Sequence, residues 1–161
     1  MASVLFVCLG NICRSPAAEG VLRHMTSSDP ELQNMHIQSC GMGSWYVGQL
    51  PDDRIRSAAK ARGIDLVSRA QIFDPNFLDK FDYIFAADHE VLHHLYRYAK
   101  TPEQKSKIHL FTAFSPCYTN TVIPDPFYQG DGAFDNVLDI IEDACEGFLA
   151  HLKKKQGALP P

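Results

Sequence analysis

The 161-residue sequence predicts a single α/β domain, a four-stranded parallel sheet with helices on both faces. Three observations carry that expectation. Short apolar runs rich in β-branched residues recur four times and alternate with stretches whose apolar residues have helical spacing. The first run breaks directly into a tight loop and a helix start, as a strand does when its partner lies parallel across a helical crossover. No repeat, low-complexity tract or linker interrupts the pattern, so one domain over residues 1–155 with a frayed tail at 156–161 is expected.

Val4-Leu5-Phe6-Val7 reads as a short buried strand. It ends in the loop Cys8-Leu9-Gly10-Asn11-Ile12-Cys13-Arg14, and Ser15-Pro16 then reads as an N-cap followed by proline at the first helical position. That helix runs over about 16–27, with Ala17, Val21, Leu22 and Met25 near one face. Met35–Cys40 is a second strand, and a Gly-rich loop from Gly41 to Pro51 carries Trp45 and Tyr46. A helix from about Asp52 buries Ile55, Ala58 and Ala59 and stops at Gly63. Asp82–Ala87 is a third strand, with Asp88 as the N-cap of a helix to about Ala99. Lys107–Phe111 is a weaker fourth strand, and 112–132 is loop. In the last helix Phe134, Val137, Leu138, Ile141, Ala144, Cys145, Phe148, Leu149 and Leu152 recur at helical spacing. Lys153-Lys154-Lys155 suit its negative C-terminal end.

Composition excludes several classes. A net charge of −4 leaves no basic face of the kind nucleic acid needs. Five cysteines without regular spacing argue against a disulfide framework. The apolar run at 4–9 is short and lacks a basic leader, and no other stretch is long enough to span a membrane. The expectation is a cytoplasmic chain with reduced thiols that binds neither nucleic acid nor membrane.

The chemistry concentrates in the loop after the first strand. A loop that runs into a helix N-terminus aims backbone N–H groups at one point, with the positive end of the helix dipole behind them. It is a cradle for a phosphate-like anion, with the Cys8 thiol at its base and the Arg14 guanidinium at its end. These donors favour the nucleophilic thiolate over the thiol and match the non-bridging oxygens of a phosphoryl group, Arg14 in bidentate fashion. Attack by Cys8 gives a cysteinyl-phosphate that water hydrolyses. Gly10 permits a close turn, Asn11 tolerates left-handed backbone, and Ser15 is placed to hydrogen-bond the thiolate. Expelling an aryl oxide needs a proton donor. Asp125 is the candidate, in the stiff segment Ile123-Pro124-Asp125-Pro126-Phe127-Tyr128 before the last helix.

Val7-Cys8-Leu9-Gly10-Asn11-Ile12-Cys13-Arg14-Ser15-Pro16 together with Asp125-Pro126-Phe127-Tyr128 resembles the low-molecular-weight protein tyrosine phosphatase (acid phosphatase) family, over residues 4 to about 152. The resemblance implies a phosphotyrosine protein phosphatase I-like fold and two-step phosphomonoester hydrolysis with no cofactor and no metal. It assigns the nucleophile to Cys8, the phosphate clamp to Arg14 and the general acid and base to Asp125. The loop residues Leu9, Gly10, Asn11, Ile12, Cys13 and Ser15 bind the phosphoryl group or support its loop. Cys13 matches a second cysteine that can form a reversible disulfide with the nucleophile. Trp45, Phe127 and Tyr128 match aromatic walls of a deep slot that suits tyrosine-phosphorylated proteins, whose flat ring reaches the thiol where phosphoserine would not. The implied assembly is a monomer or weak self-association.

Two features depart from the family pattern. Ser68 occupies the place of a histidine that buttresses the loop, which predicts a weaker or differently wired brace behind Asn11 and Ser15. Phe127 stands where tyrosine is frequent, which keeps the wall.

Three alternatives share some of these residues. Phosphoarginine phosphatases resemble the pattern but carry threonine at the position of Ile12. A thiol-based arsenate reductase needs a further cysteine relay, and residues 80–100 hold no cysteine. A phosphate sensor without turnover would need neither thiolate nor acid. His89-Glu90-Val91-Leu92-His93 fits a zinc-hydrolase pattern, but both histidines lie opposite the apolar stripe of their helix, so it reads as a solvated face.

Overall fold

The computed structural model describes residues 2–127, 129–130 and 132–157. Four parallel strands form one sheet: β1 (Ser3–Cys8), β2 (His36–Gly41), β3 (Tyr83–Ala86) and β4 (Ile108–Leu110), in the order β2-β1-β3-β4. Register is set on β1, where Val4 faces Ile37 on one side and Tyr83 on the other. The described residues also form six helices: α1 (Arg14–Thr26), α2 (Asp53–Lys60), α3 (Phe77–Lys80), α4 (His89–Tyr98), α5 (Pro102–Ser106) and α6 (Ala133–Gly157).

Alternation along β1 divides the core in two, because successive side chains of a strand point to opposite faces. Val4, Phe6 and Cys8 join Val21 and Leu22 of α1, Ile55 of α2, and Val137, Ile141 and Phe148 of α6. Leu5 and Val7 face the other way, against Leu78 of α3 and Val91 and Leu95 of α4. The expected α/β sandwich with helices on both faces is therefore present. Two short helices, α3 and α5, four and five residues long, add to the predicted elements.

Two boundaries differ from expectation in an informative way. Helix α1 begins at Arg14 with Cys13 as its N-cap, and no side chain caps it. Ser15 is inside the first turn because its hydroxyl is engaged elsewhere, with Cys8 Sγ at 2.9 Å and the Cys40 carbonyl at 3.4 Å. Pro16 costs nothing there, since first-turn amides have no partner within the helix. The helix mouth is thus left uncapped toward the loop. Helix α6 continues to Gly157, past the expected end at the lysine run, and the remaining tail (158–161) lies outside the described residues.

The chain crosses from β1 to β2 on one side and then from β2 back past β1 to β3 on the other, so the carboxyl ends of β1 and β3 flank a switch in direction. Ligand sites of open α/β sheets form at that switch. The Cys8–Arg14 loop leaves β1 there, and Ala87-Asp88 leaves β3 beside it. No helix among the described residues is long and apolar enough to cross a membrane.

Candidate active site

The loop after β1 is held in shape from outside. The carbonyls of Cys8, Leu9 and Ile12 accept backbone N–H bonds from Met42 (3.0 Å), Gly43 (2.9 Å) and Asp52 (2.8 Å), and that of Cys13 accepts from Ala17 (3.1 Å). Engaging the carbonyls outward leaves the amides for the interior of the turn. Asn11 sits at φ 57, in the left-handed region, and its N–H points at Cys8 Sγ at 3.3 Å. β2 passes closely behind: a Cβ on Gly41 would lie 3.0 Å from the Asn11 nitrogen. Gly10 lets the Tyr46 ring close over the loop, since a Cβ there would lie 3.0 Å from that ring.

A buried polar chain braces the loop from the rear. Asn11 Nδ2 donates to Ser15 Oγ (2.7 Å) and Ser39 Oγ (3.0 Å), and Asn11 Oδ1 accepts from the Gln71 backbone N–H (2.9 Å). Ser39 in turn donates to Glu19 Oε1 (2.6 Å), whose other oxygen accepts from Arg23 Nε at 3.1 Å. Asn11, Ser15, Ser39 and Glu19 are all buried. Ser68 is half-buried, and the brace is supplied instead by the Gln71 amide, with Gln71 Nε2 on the Ser39 carbonyl at 2.9 Å. This wiring leaves no buried polar side-chain atom without a partner among the described residues.

Arg14 is 4% exposed, and its fork is fixed at one nitrogen by two acceptors. Nη1 donates to Asp88 Oδ2 (2.8 Å) and to the Ile123 carbonyl (2.9 Å). Nη2 lies 4.0 Å from Asp125 Oδ2. Burial works against the guanidinium charge, but Cys8 and Asp88 outweigh it and raise the pKa of Arg14 above the ordinary arginine value. Asp125 is more than half exposed, and its Oδ1 accepts from the Phe127 N–H at 3.1 Å. The Cys13 thiol is pushed well above the ordinary range, by burial first and then by Cys8. The same two causes raise Cys40.

These groups line one cleft of about 310 Å³. Cys8, Cys13 and Arg14 line it, with Leu9, Gly10 and Ile12 from the same loop. Trp45 and Tyr46 form one wall, Asp125 and Phe127 the other. Trp45 is 65% exposed, which makes it a rim residue and not a core aromatic. Of the residues singled out from sequence, Asn11 and Ser15 lie behind the loop and do not line the cleft, and Tyr128 lies outside the described residues. His89 and His93 are exposed on α4, and the described residues contain no group of three or more His, Cys, Asp or Glu arranged to hold a metal ion.

Four contributors were missed. In the sequence Tyr46 shows only as part of a Gly-rich loop. Asp88 was read as a helix cap, and its Oδ1 does accept from the Val91 N–H at 2.9 Å, but its second oxygen holds Arg14. Ser39 and Glu19 carried no signal, because their partnership spans 20 residues and depends on which faces α1 and β2 turn inward.

Chemically, a thiol at the base of an amide-lined turn, a fixed guanidinium and a partly solvated carboxyl group suit displacement at a tetrahedral oxyanion. Comparison with known proteins agrees. The family model described as low molecular weight phosphotyrosine protein phosphatase matches residues 3–158. The low molecular weight phosphotyrosine protein phosphatase of Schizosaccharomyces pombe is 37% identical over 147 residues, 91% of this chain and 94% of its own. The crystal structure of a protein tyrosine phosphatase from Entamoeba histolytica with Hepes in its active site superposes with a TM-score of 0.89 at 36% identity, covering 97% of this chain and 99% of the other. A drosophila arginine phosphatase superposes with a TM-score of 0.84 at 36% identity, covering 93% and 97% of the two chains.

Proposed function

The chain belongs to the low molecular weight phosphotyrosine protein phosphatase family, and from that premise we propose that it hydrolyses phosphotyrosine in proteins through a cysteinyl-phosphate on Cys8. The observation that carries the reading is the convergence of Cys8, Arg14 and Asp125 on one cleft with aromatic walls. The phosphoryl oxygens take the loop amides and Arg14, and the Cys8 thiolate attacks phosphorus in line with the leaving oxygen. The S–P bond forms as the P–O(aryl) bond breaks, and Asp125 delivers its proton to the departing phenolate. Asp125, now a carboxylate, then takes a proton from the water that attacks phosphorus. The S–P bond breaks, and phosphate and the thiolate are released.

The relative's Hepes supports an anion in the loop, since a sulfonate has the tetrahedral oxygens of a phosphoryl group. Ile12 on the cleft lining favours an aryl ring over the guanidinium of phosphoarginine, despite the likeness to an arginine phosphatase. Arsenate reduction lacks a relay: Cys117 and Cys145 are not among the cleft residues, which hold only Cys8 and Cys13 as cysteines. Cytoplasmic action with reduced thiols fits this chemistry.

A panel of phosphotyrosine, phosphoserine and phosphoarginine peptides, assayed with chelator on wild type and Cys8→Ser, tests the reading. Phosphotyrosine turnover that survives chelator and vanishes in Cys8→Ser is expected. Preferred phosphoarginine turnover, or activity that needs added metal, overturns it.

A further inference from the structure

Asp125 has to be presented to the leaving oxygen from a loop, and its own exposure leaves it little to lean on. Its Oδ1 is bonded to the N–H of Phe127. The carbonyl of that same residue accepts from Arg54 Nη1 at 3.1 Å. Phe127 is thus gripped at both of its peptide groups, once by Asp125 and once by Arg54. The Arg54 guanidinium also lies over two rings, 5.0 Å from the centre of Phe127 and 4.7 Å from that of Phe134 at the start of α6.

The other end of this arrangement reaches the nucleophile loop. Arg54 Nε and Nη2 pair with both oxygens of Asp52, at 3.0 and 3.1 Å. Asp52 donates its backbone N–H to the carbonyl of Ile12 at 2.8 Å. The side chain of Asp52 caps α2 by accepting from the Arg54 N–H at 2.9 Å. The bonds to Arg54 hold its carboxyl below the ordinary aspartate range despite partial burial. A continuous path therefore runs from Ile12 through Asp52 and Arg54 to Phe127 and Asp125. Like Arg14, this path ties the two halves of the cleft.

We propose that Arg54 is a positioning residue for the general acid: it fixes the 125–127 loop over the cleft and sets how well Asp125 reaches the leaving oxygen. The inference rests on the reading of Asp125 as that acid. A fork that bonds a carboxylate at two points and a carbonyl at a third, while also lying over two aromatic rings, is a geometry lysine cannot reproduce.

The test is the dependence of kcat/KM on leaving-group basicity, measured with aryl phosphates from p-nitrophenyl to phenyl phosphate. Proton donation matters little for an activated leaving group and greatly for a basic one. Arg54→Met should leave p-nitrophenyl phosphate nearly unchanged and slow phenyl phosphate about ten-fold, a part of the roughly hundred-fold or larger loss that removal of a general acid brings. Arg54→Lys should fall between wild type and Arg54→Met. Phe134→Leu, which removes one stacking face without touching the cleft, should shift the slope in the same direction by less. Asp125→Asn is the reference and should give the steepest slope. If Asp125→Asn is steep while the Arg54 variants lose activity equally on every leaving group, or lose none, the positioning role is refuted and Asp125 keeps its own. If Asp125→Asn is itself flat, the premise fails and the inference falls with it.

Discussion

Replacing Asn11 by glycine removes three buried side-chain hydrogen bonds while leaving the left-handed backbone unstrained. The bonds are those to Ser15, Ser39 and the Gln71 N–H, at 2.7, 3.0 and 2.9 Å, on a residue 3% exposed. At about 1 kcal/mol each, their loss amounts to about 3 kcal/mol, and the half-buried Gln71 amide loses its acceptor. Ser39 and Ser15 keep Glu19 and Cys8 as partners, which limits the damage on their side. Alanine in the same place loses the same bonds and adds about 1–2 kcal/mol of steric strain at φ 57. Urea unfolding should therefore show a midpoint lowered by roughly 1 M or more for Asn11→Gly, with an unchanged slope, and lowered further for Asn11→Ala. Activity should separate the two more sharply. Glycine can keep the turn that aims the residue-11 N–H at Cys8 Sγ, whereas alanine pushes the backbone out of it. A glycine variant as stable as wild type, or an alanine variant more active than the glycine one, would refute the account of Asn11 as the brace of the loop.

Asp88→Ala should cost about 2–3 kcal/mol, because it removes the cap of α4 and the carboxylate partner of buried Arg14; one quarter exposure of Asp88 discounts the full buried-pair penalty. Asp88→Asn keeps a capping oxygen and should recover about 1 kcal/mol of that, yet still lose phosphate affinity, and equal stability of the two variants speaks against the double role. Mild peroxide should inactivate the enzyme by oxidising the Cys8 thiolate to a sulfenic acid, which the Cys13 thiol then displaces with loss of water to give a disulfide. Added thiol should restore wild type, whereas Cys13→Ser should progress to irreversible loss; equal recovery of both removes Cys13 from that role. Burial, with His151 nearby, lowers the pKa of His109, so the folded state disfavours its protonation. The unfolded chain takes up that proton first as pH falls through about 6.5, so the stability it brings is present above that pH and lost below it. His109 lies among Tyr83, Phe85 and Phe114, and His109→Phe should therefore flatten the fall of Tm between pH 7 and 5, with an unchanged slope counting against the assignment.

What could be read from the chain and what could not divide along one physical line. Strand β1, its loop and the start of α1 are contiguous, so turn chemistry and helix-start rules reach them, and Cys8 to Arg14 stood out at once. Asp125 was legible because two prolines and two aromatics mark its loop as stiff and special. Ser15 was read as a cap and is not one, because a tertiary contact with the thiol won over a local bond to its own helix. Asp88, Ser39, Glu19 and Arg54 act through partners 20 to 74 residues away, and no local pattern reports such distances. Their placement follows from topology. Only when β1 lies between β2 and β3 do Ser39 in the second half of one neighbour and Asp88 just past the end of the other fall on opposite sides of the same loop. The loop supplies the thiol and the amides. The two flanking strands decide whether those groups stay aimed: from β2 through Ser39 and Asn11, from β3 through Asp88 and Arg14. Asp125 lies well past the end of either strand, and Arg54 on α2 reaches across to the carbonyl of Phe127 in its loop.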